Sequence, residues 1–249
     1  MLVSIITISK DQAAELPATI DSVSGQTYAG IEHVVVDGES SDGTAAVVAS
    51  YPGVRMVSRR PAGVYDAINQ GISCASGEVI GMVHCGDRLA SADVVEKVAA
   101  AFEADPELDF VFGDVRYVDV RTGRTRRVYS ADRFRLRMLR IGFAPPHPSL
   151  YMRRRAVERV GLYKPDYKVA ADLDMFVRLF QDRTLHYRYL PMTMVDMSVG
   201  GISQQWRNRL ILNNKEKLRA LRENGLDSSY LTIFRRYWIV LKSLLKRKE

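Results

Sequence analysis

Several carboxylates in this chain stand at positions from which a carboxylate can do chemistry. The segment Gly63–Asp87, GVYDAINQGISCASGEVIGMVHCGD, places Asp66 and Asn69 three residues apart, on one face of a helix, and carries the apolar run Val79–Val83 into His84-Cys85-Gly86-Asp87. In open α/β sheets ligands bind beyond the carboxyl ends of strands, so Asp87 is well placed to hold a metal or substrate. A hard cation such as Mg²⁺ or Mn²⁺ needs few protein ligands when diphosphate oxygens and water complete its shell, so one carboxylate suffices. His84 can assist Mn²⁺ or serve as a hydrogen-bonded structural residue. Asp37, at the end of the run Glu32–Val36, can accept hydrogen bonds from the NH groups of a nucleobase, or merely make a turn with Gly38.

Three further groups complete the candidates. Arg60, in Arg59-Arg60-Pro61, can pair bidentately with a diphosphate or remain a solvated charge. Asp172 and Asp174 sit two apart in Ala170-Ala171-Asp172-Leu173-Asp174. Positions so spaced point about 200° apart on a helix, so only one can face a given reacting atom. His147 lies between Pro146 and Pro148. Ser41-Asp42-Gly43-Thr44 reads mainly as a helix cap.

The elements that must position these groups alternate along the first half. Leu2–Ile8 reads as a strand, Ala13–Ser24 as a helix, and Glu32–Val36 as a second strand. A capped helix to Ser50, a strand Val54–Ser58, the helix Val64–Ala75 and the strand Val79–Val83 follow. That order predicts α/β architecture with a mostly parallel central sheet and helices on both faces. A helix Ser91–Ala104 then leads to strands Asp109–Phe112 and Val115–Val120 and a turn at Thr122-Gly123. The Arg-rich stretch Arg124–Arg140 is expected on the surface, followed by a strand Ser149–Met152, a short helix Arg153–Val160 and a helix Asp172–Gln181.

At 249 residues, with 47% hydrophobic and 26% charged, the chain is long enough for one large core. Its apolar stretches fall short of the roughly 20 residues a spanning helix needs, and MLVSIITIS has no basic leader, so a soluble, cytosolic protein is expected. Cys74 and Cys85 offer no disulfide framework and read as small buried fillers, Cys85 keeping a ligand or nucleophile role as its alternative. Charge is uneven: residues 1–120 carry a net −11, residues 121–201 a net +10 and residues 202–249 a net +8. This asymmetry suggests a divalent metal or neutral group on one side and an anionic partner on the other. No zinc finger, RNP-type motif or helix-turn-helix pattern accompanies the charge, which argues against nucleic acid and for anionic lipid or a phosphorylated acceptor.

Neither GxGxxG nor GxxxxGK[ST] follows the first strand, so dinucleotide and P-loop binding lack their glycines. VSIITISK, HVVVDGESSDGT, the Gly63–Asp87 segment, PHPSLYMRRRAVERVGLYKPDYKVAADLDMFVRL and the late Gly200-Gly201-Ile202-Ser203 together resemble the family 2 inverting glycosyltransferases of GT-A fold, in the bacterial polysaccharide-assembly branch. The resemblance covers residue 2 to about residue 203. It implies a GT-A domain over 1–203, with a nucleotide-sugar half (1–115) and an acceptor half (116–203), and a basic C-terminal helical extension (204–249). It further implies an NDP-sugar donor, UDP-linked by preference, a divalent cation, and a hydroxyl of a glycan or lipid-linked acceptor. By the same resemblance Thr7, Ser9 and Asp37 line the nucleotide pocket, Arg60, Asp66 and Asn69 flank the donor, and His147 contacts phosphate or acceptor. Asp87 then holds the metal and Asp172 is the base, Asp174 being a helix-surface or ion-pair residue. Where the family usually offers DxD or a DD pair, this chain offers Asp87 alone. That departure keeps a non-catalytic glycan-binding protein, beside a sugar nucleotidyltransferase of the same fold, as the alternatives.

The tail Ser229–Glu249 reads as a basic amphipathic helix, suited to a membrane interface or to packing on the domain or on a second copy of the chain.

Overall fold

A computed structural model describes residues 1–119, 121–199 and 206–234. Strands β1 (Val3–Ser9), β2 (Ile31–Asp37), β3 (Val54–Ser58) and β4 (Val79–Met82) are joined by helices α1 (Leu16–Ser24), α2 (Thr44–Ala49) and α3 (Val64–Cys74). These four strands are parallel, in the order β3-β2-β1-β4. After the short β5 (Arg88–Leu89) and α4 (Val94–Glu103) come the long β6 (Leu108–Asp119), β7 (Thr125–Tyr129), β8 (Tyr151–Arg153), α5 (Arg154–Val160), α6 (Ala171–Gln181), β9 (His186–Val199) and α7 (Trp206–Glu223). β8 joins β4 to β6 by antiparallel pairing, β9 runs parallel to β6, and β7 adds an antiparallel edge to β6.

The run of β-branched residues in β1 has a clear reason: both faces of the sheet are covered. Ile6, with Val34 and Val36, packs under Ile68 and Ile72 of α3. Val3, Ile5 and Val79 turn to the opposite face and meet Val94, Val95, Val98 and Phe102 of α4. The carboxyl ends of β1, β2 and β4 therefore open on one edge.

Differences from the expected elements have local causes. α1 begins at Leu16 rather than Ala13 because Pro17 occupies its first turn, where a missing N–H costs nothing. The two strands expected around Gly113 are one strand with an irregular register at that point, where Gly113 comes so close to β9 that a Cβ would sit 2.8 Å from the Met192 carbonyl. The Arg-rich surface stretch contains β7 and a 3₁₀ turn, Leu136–Ile141, as well as loop. β9 was not anticipated. Its outward Arg and Tyr side chains obscure the alternation that marks a half-buried strand. The Gly200-Gly201-Ile202-Ser203 motif lies outside the described residues, as does the tail beyond residue 234, of which residues 230–234 are helical.

Where β4 meets β8, Gly81 leaves room for the fully buried Tyr151 ring. A Cβ on Gly81 would lie 2.3 Å from that ring, which the surrounding core holds in place. Gly81→Ala is expected to destabilise the chain by about 2–3 kcal/mol, read as a lower urea midpoint with unchanged m. A midpoint equal to that of the parent would contradict this packing.

Candidate active site

β4 leads into the turn His84–Asp87, which is held from two sides. The Thr19 hydroxyl donates to the Asp87 carbonyl (2.8 Å) and accepts from the Gly86 N–H (3.0 Å), and Ser198 of β9 donates its N–H to Asp87 Oδ1 (2.9 Å) and its hydroxyl to the Gly86 carbonyl. Gly86 has φ of 91°, a conformation that favours glycine at this position of the turn. Asp87 is 8% exposed, and burial pushes its carboxyl up to about 6. No basic side chain among the described residues pairs with it, and its Oδ2 has no hydrogen-bond donor there. A buried carboxylate with one oxygen unspent fits a single-carboxylate cation site. Among the described residues no group of three or more His, Cys, Asp or Glu side chains could hold a metal, so any cation would depend on substrate oxygens and water for its remaining ligands.

Next to this turn is a second cluster. His84 and His147 stack at 6.0 Å, and His147 Nε2 is hydrogen-bonded to the Tyr163 hydroxyl (2.9 Å). Burial pushes both imidazoles down to about 4, so both are neutral at physiological pH. Asp172 interacts electrostatically with His84 and Lys217. Burial raises its carboxyl pKa, opposed by Lys217 and by the Leu173 N–H that donates to Oδ1 (2.8 Å). A cavity of about 560 Å³ opens beside it, walled by His147, Tyr117, Tyr129, Phe143 and Lys217. Tyr117 also feels the charge of Asp87, which ties the cavity to the β4 turn.

The first turn of α6 aims the two aspartates apart, as their spacing requires. Asp174 is fully buried against Lys164 (2.8 Å), Arg178 (2.8 Å) and Asn224 (2.8 Å). It is the expected ion-pair residue, in the interior rather than on the surface. Asp172 faces the cavity. What sequence reasoning missed is the group that fixes this turn: Glu216 of α7 accepts the backbone N–H groups of Lys168, Val169 and Ala170 at 2.8–3.1 Å. Tyr65 was also missed; it stacks on Tyr163 and lies against the N–H groups of Ala171 and Asp172. No local signal links Glu216 to residues more than forty positions earlier.

The other expected residues divide. Ser9 and Asp37 are register partners at the ends of β1 and β2. The Asp37 carboxylate accepts from the Ser40 N–H (3.1 Å) and hydroxyl (2.5 Å), while the Ser9 hydroxyl is buried without a regular hydrogen bond among the described residues, beside the Cys85 thiol. Burial raises that thiol to about 11, which suits a filler rather than a nucleophile. Thr7 is corrected: it has no exposed surface, and its hydroxyl donates to the Val83 carbonyl (2.8 Å) and bonds His33 Nε2 (2.9 Å), so it ties strands together instead of lining a pocket. Asn69 is half-buried on α3. Its amide clasps the backbone of Tyr163 through Nδ2 to the carbonyl (2.7 Å) and the N–H to Oδ1 (3.0 Å), an interaction that orients the partner of His147. Asp66 accepts from the Ala62 N–H (2.8 Å) and Gln70 (3.1 Å) at the start of α3. Arg60 is exposed just before α3, without an ion-pair partner among the described residues. Asp42 accepts from the Thr44 N–H and hydroxyl and from the Ala13 N–H, one residue ahead of Gly43, which caps α2 without a side chain.

Comparison with known proteins decides the lineage. The sequence model of glycosyl transferase family 2 matches residues 4–161. The chain belongs to that family. A family relative, the PGL/p-HBAD biosynthesis glycosyltransferase of Mycobacterium tuberculosis, is 34% identical over 208 residues, covering 80% of this chain and 78% of its own. An uncharacterized glycosyltransferase of the same organism is 35% identical over 182 residues (71% and 68%). Among solved structures, Staphylococcus aureus TarS 1-349 in complex with UDP-GlcNAc superposes with a TM-score of 0.72 at 15% identity, over 93% of this chain and 69% of that one. The mannosyltransferase PcManGT of Pyrobaculum calidifontis, in complex with GDP-Man and Mn²⁺, gives 0.65 at 18% identity, over 91% and 65%. The fold is the GT-A fold of these glycosyltransferases, and this family 2 member is an enzyme of glycosyl transfer.

The buried Asp87 yields a pH signature. Its carboxyl titrates near about 4 when unfolded and about 6 when folded, so between those values the native state holds more protons and the unfolding free energy falls as pH rises, staying low above pH 6. Asp87→Asn keeps an acceptor for the Ser198 N–H and removes this cost. The metal-free variant is expected to be more stable than the parent at pH 7 by on the order of 1–3 kcal/mol, with the gap closing towards pH 4, by denaturation across that range. A variant less stable than the parent at pH 7 would contradict the account.

Proposed function

We propose that the chain is an inverting glycosyltransferase that moves a sugar from an NDP-sugar, UDP-linked by preference, to a hydroxyl of a bacterial glycan or lipid-linked acceptor. The observation that carries this reading is Asp172: a carboxylate of raised pKa, facing a cavity large enough for an acceptor, beside two neutral histidines and near the turn that holds Asp87. A raised pKa makes the carboxylate a better proton acceptor near neutrality. In this reading Asp172 takes the proton from the acceptor hydroxyl as its oxygen attacks the anomeric carbon opposite the departing nucleoside diphosphate. One displacement inverts the configuration.

The donor occupies the edge where β1, β2 and β4 end, with Asp37 and Ser9 towards the base and Arg60 and Asp66 on the α3 side. Ser40 holds Asp37 in the apo chain, so base recognition requires that contact to be shared or exchanged. Asp87 would hold Mn²⁺ or Mg²⁺, which supplies charge neutralisation for the leaving diphosphate. His147, fixed by Tyr163, meets phosphate or acceptor. Residues 1–115 form the nucleotide-sugar half and 116–203 the acceptor half, with 204–249 as the basic extension. Donors bound by TarS and PcManGT support the NDP-sugar, and the mycobacterial relative named as a PGL/p-HBAD biosynthesis glycosyltransferase supports the transfer. The enzyme works in the cytoplasm, where nucleotide sugars are made. No helix among the described residues is long and apolar enough to cross a membrane.

Asp172→Asn is expected to lower kcat by about 10³-fold or more while leaving donor binding in place. The assay pairs transfer rate with thermal shift against a panel of NDP-sugars with and without Mn²⁺. Parental turnover in the variant would remove Asp172 as the base, and the absence of stabilisation by every NDP-sugar would remove the donor reading.

A further inference from the structure

Residues 121–140 carry eight arginines against one acidic residue, Asp132. Arg126 is spent on Asp119, and Arg127 lies 5.8 Å over the Tyr129 ring. Arg137 and Arg140, on the 3₁₀ turn Leu136–Ile141, are exposed with no carboxylate partner among the described residues, and Arg133 only grazes Asp132 at 4.0 Å with its side chain 86% exposed. Leu136 stands 47% exposed amid these cations while Leu139 of the same turn is buried. The Ser228 hydroxyl donates to the Arg140 carbonyl (2.9 Å), so the helical residues 230–234 start against this turn. There Ile233 points into the core, whereas Tyr230 (48%) and Leu231 (81%) are left to solvent.

Cations interleaved with solvent-facing Leu and Tyr fit the headgroup region of an anionic bilayer, which takes apolar side chains a few ångströms deep and basic ones at its surface. The turn also leads straight into Gly142, Phe143 and Ala144, which wall the cavity beside Asp172.

We propose that the surface formed by Arg133, Leu136, Arg137, Arg140, Tyr230 and Leu231 docks on an anionic lipid bilayer and sets the mouth of the Asp172 cavity at the membrane interface. The second half of this statement rests on the reading of that cavity as the acceptor site, and it makes the acceptor a lipid-linked one whose glycan reaches in from the headgroup plane.

The test is vesicle co-sedimentation of the full chain, its C-terminal tail intact, with phosphatidylglycerol-containing and pure phosphatidylcholine vesicles. The parent is expected to sediment only with the former and to be released by high salt. Arg133→Glu/Arg137→Glu/Arg140→Glu should lower the partition coefficient by about 100-fold or more, since each basic residue at the interface contributes on the order of 1 kcal/mol. Leu136→Ser/Leu231→Ser should weaken it at constant charge. Donor-induced thermal shift, measured in parallel, should be unchanged in both variants, which separates failure of this proposal from failure of the donor reading. Partition of the triple variant equal to that of the parent, equal partition on phosphatidylcholine, or no partition on either vesicle would overturn the proposal. So would retention on a DNA duplex without partition on vesicles, which would give the surface to nucleic acid. A dimer that buries Leu136 and Leu231 and leaves the vesicles alone would give it to a second copy.

Discussion

The interaction on which the site most depends is the capture of three successive backbone N–H groups, those of Lys168, Val169 and Ala170, by the single carboxylate of Glu216. Those donors precede the first turn of α6, and the buried one, Ala170, would otherwise lack a partner, at a cost of on the order of 1–3 kcal/mol. With them satisfied, α6 starts at one residue and in one orientation. The helical period then sends Asp174 into a nest of Lys164, Arg178 and Asn224 and leaves Asp172 turned to the cavity. Two carboxylates of the same type, two residues apart, acquire different environments from a contact neither of them makes.

A similar division of labour holds at the other end of the site. Asp87 is kept in place by its backbone and by one oxygen, through Thr19 and Ser198, and this leaves the second oxygen without a donor among the described residues. Asn69 holds the backbone of Tyr163, whose hydroxyl in turn bonds His147. The residues that meet substrate in the proposed reaction are thus oriented by others, drawn from α1, α3, α7 and β9, that have no need to touch it. Burial supplies the electrostatics. It raises the carboxyls of Asp87 and Asp172, the latter against the pull of Lys217, and keeps His84 and His147 neutral.

What was legible in the sequence follows from the range of the signals. The parallel half was readable because each element carries its own pattern: β-branched runs for β1 and β2, 3.6-residue spacing for α3, and a carboxylate at a strand end for Asp37 and Asp87. The separation of Asp172 from Asp174 was readable from helical geometry alone. Thr7 misled because a hydroxyl near a site looks the same in sequence whether it faces ligand or backbone; only Val83 and His33, distant in the chain, decide it. Glu216, Ser198 and the strand β9 went unseen for the same reason. Their roles exist only through residues 46–48 positions away for Glu216 and Ala170–Lys168, and 111 positions away for Ser198 and Asp87.

The central claim is that Asp172 works from one side of the anomeric carbon while the diphosphate leaves from the other, in a single displacement. The most direct measurement is the anomeric configuration of the transferred sugar, by the proton NMR coupling of the product formed from a donor that thermal shift has identified. The account predicts a configuration opposite to that of the sugar in the donor. A product that retains the donor configuration would contradict it.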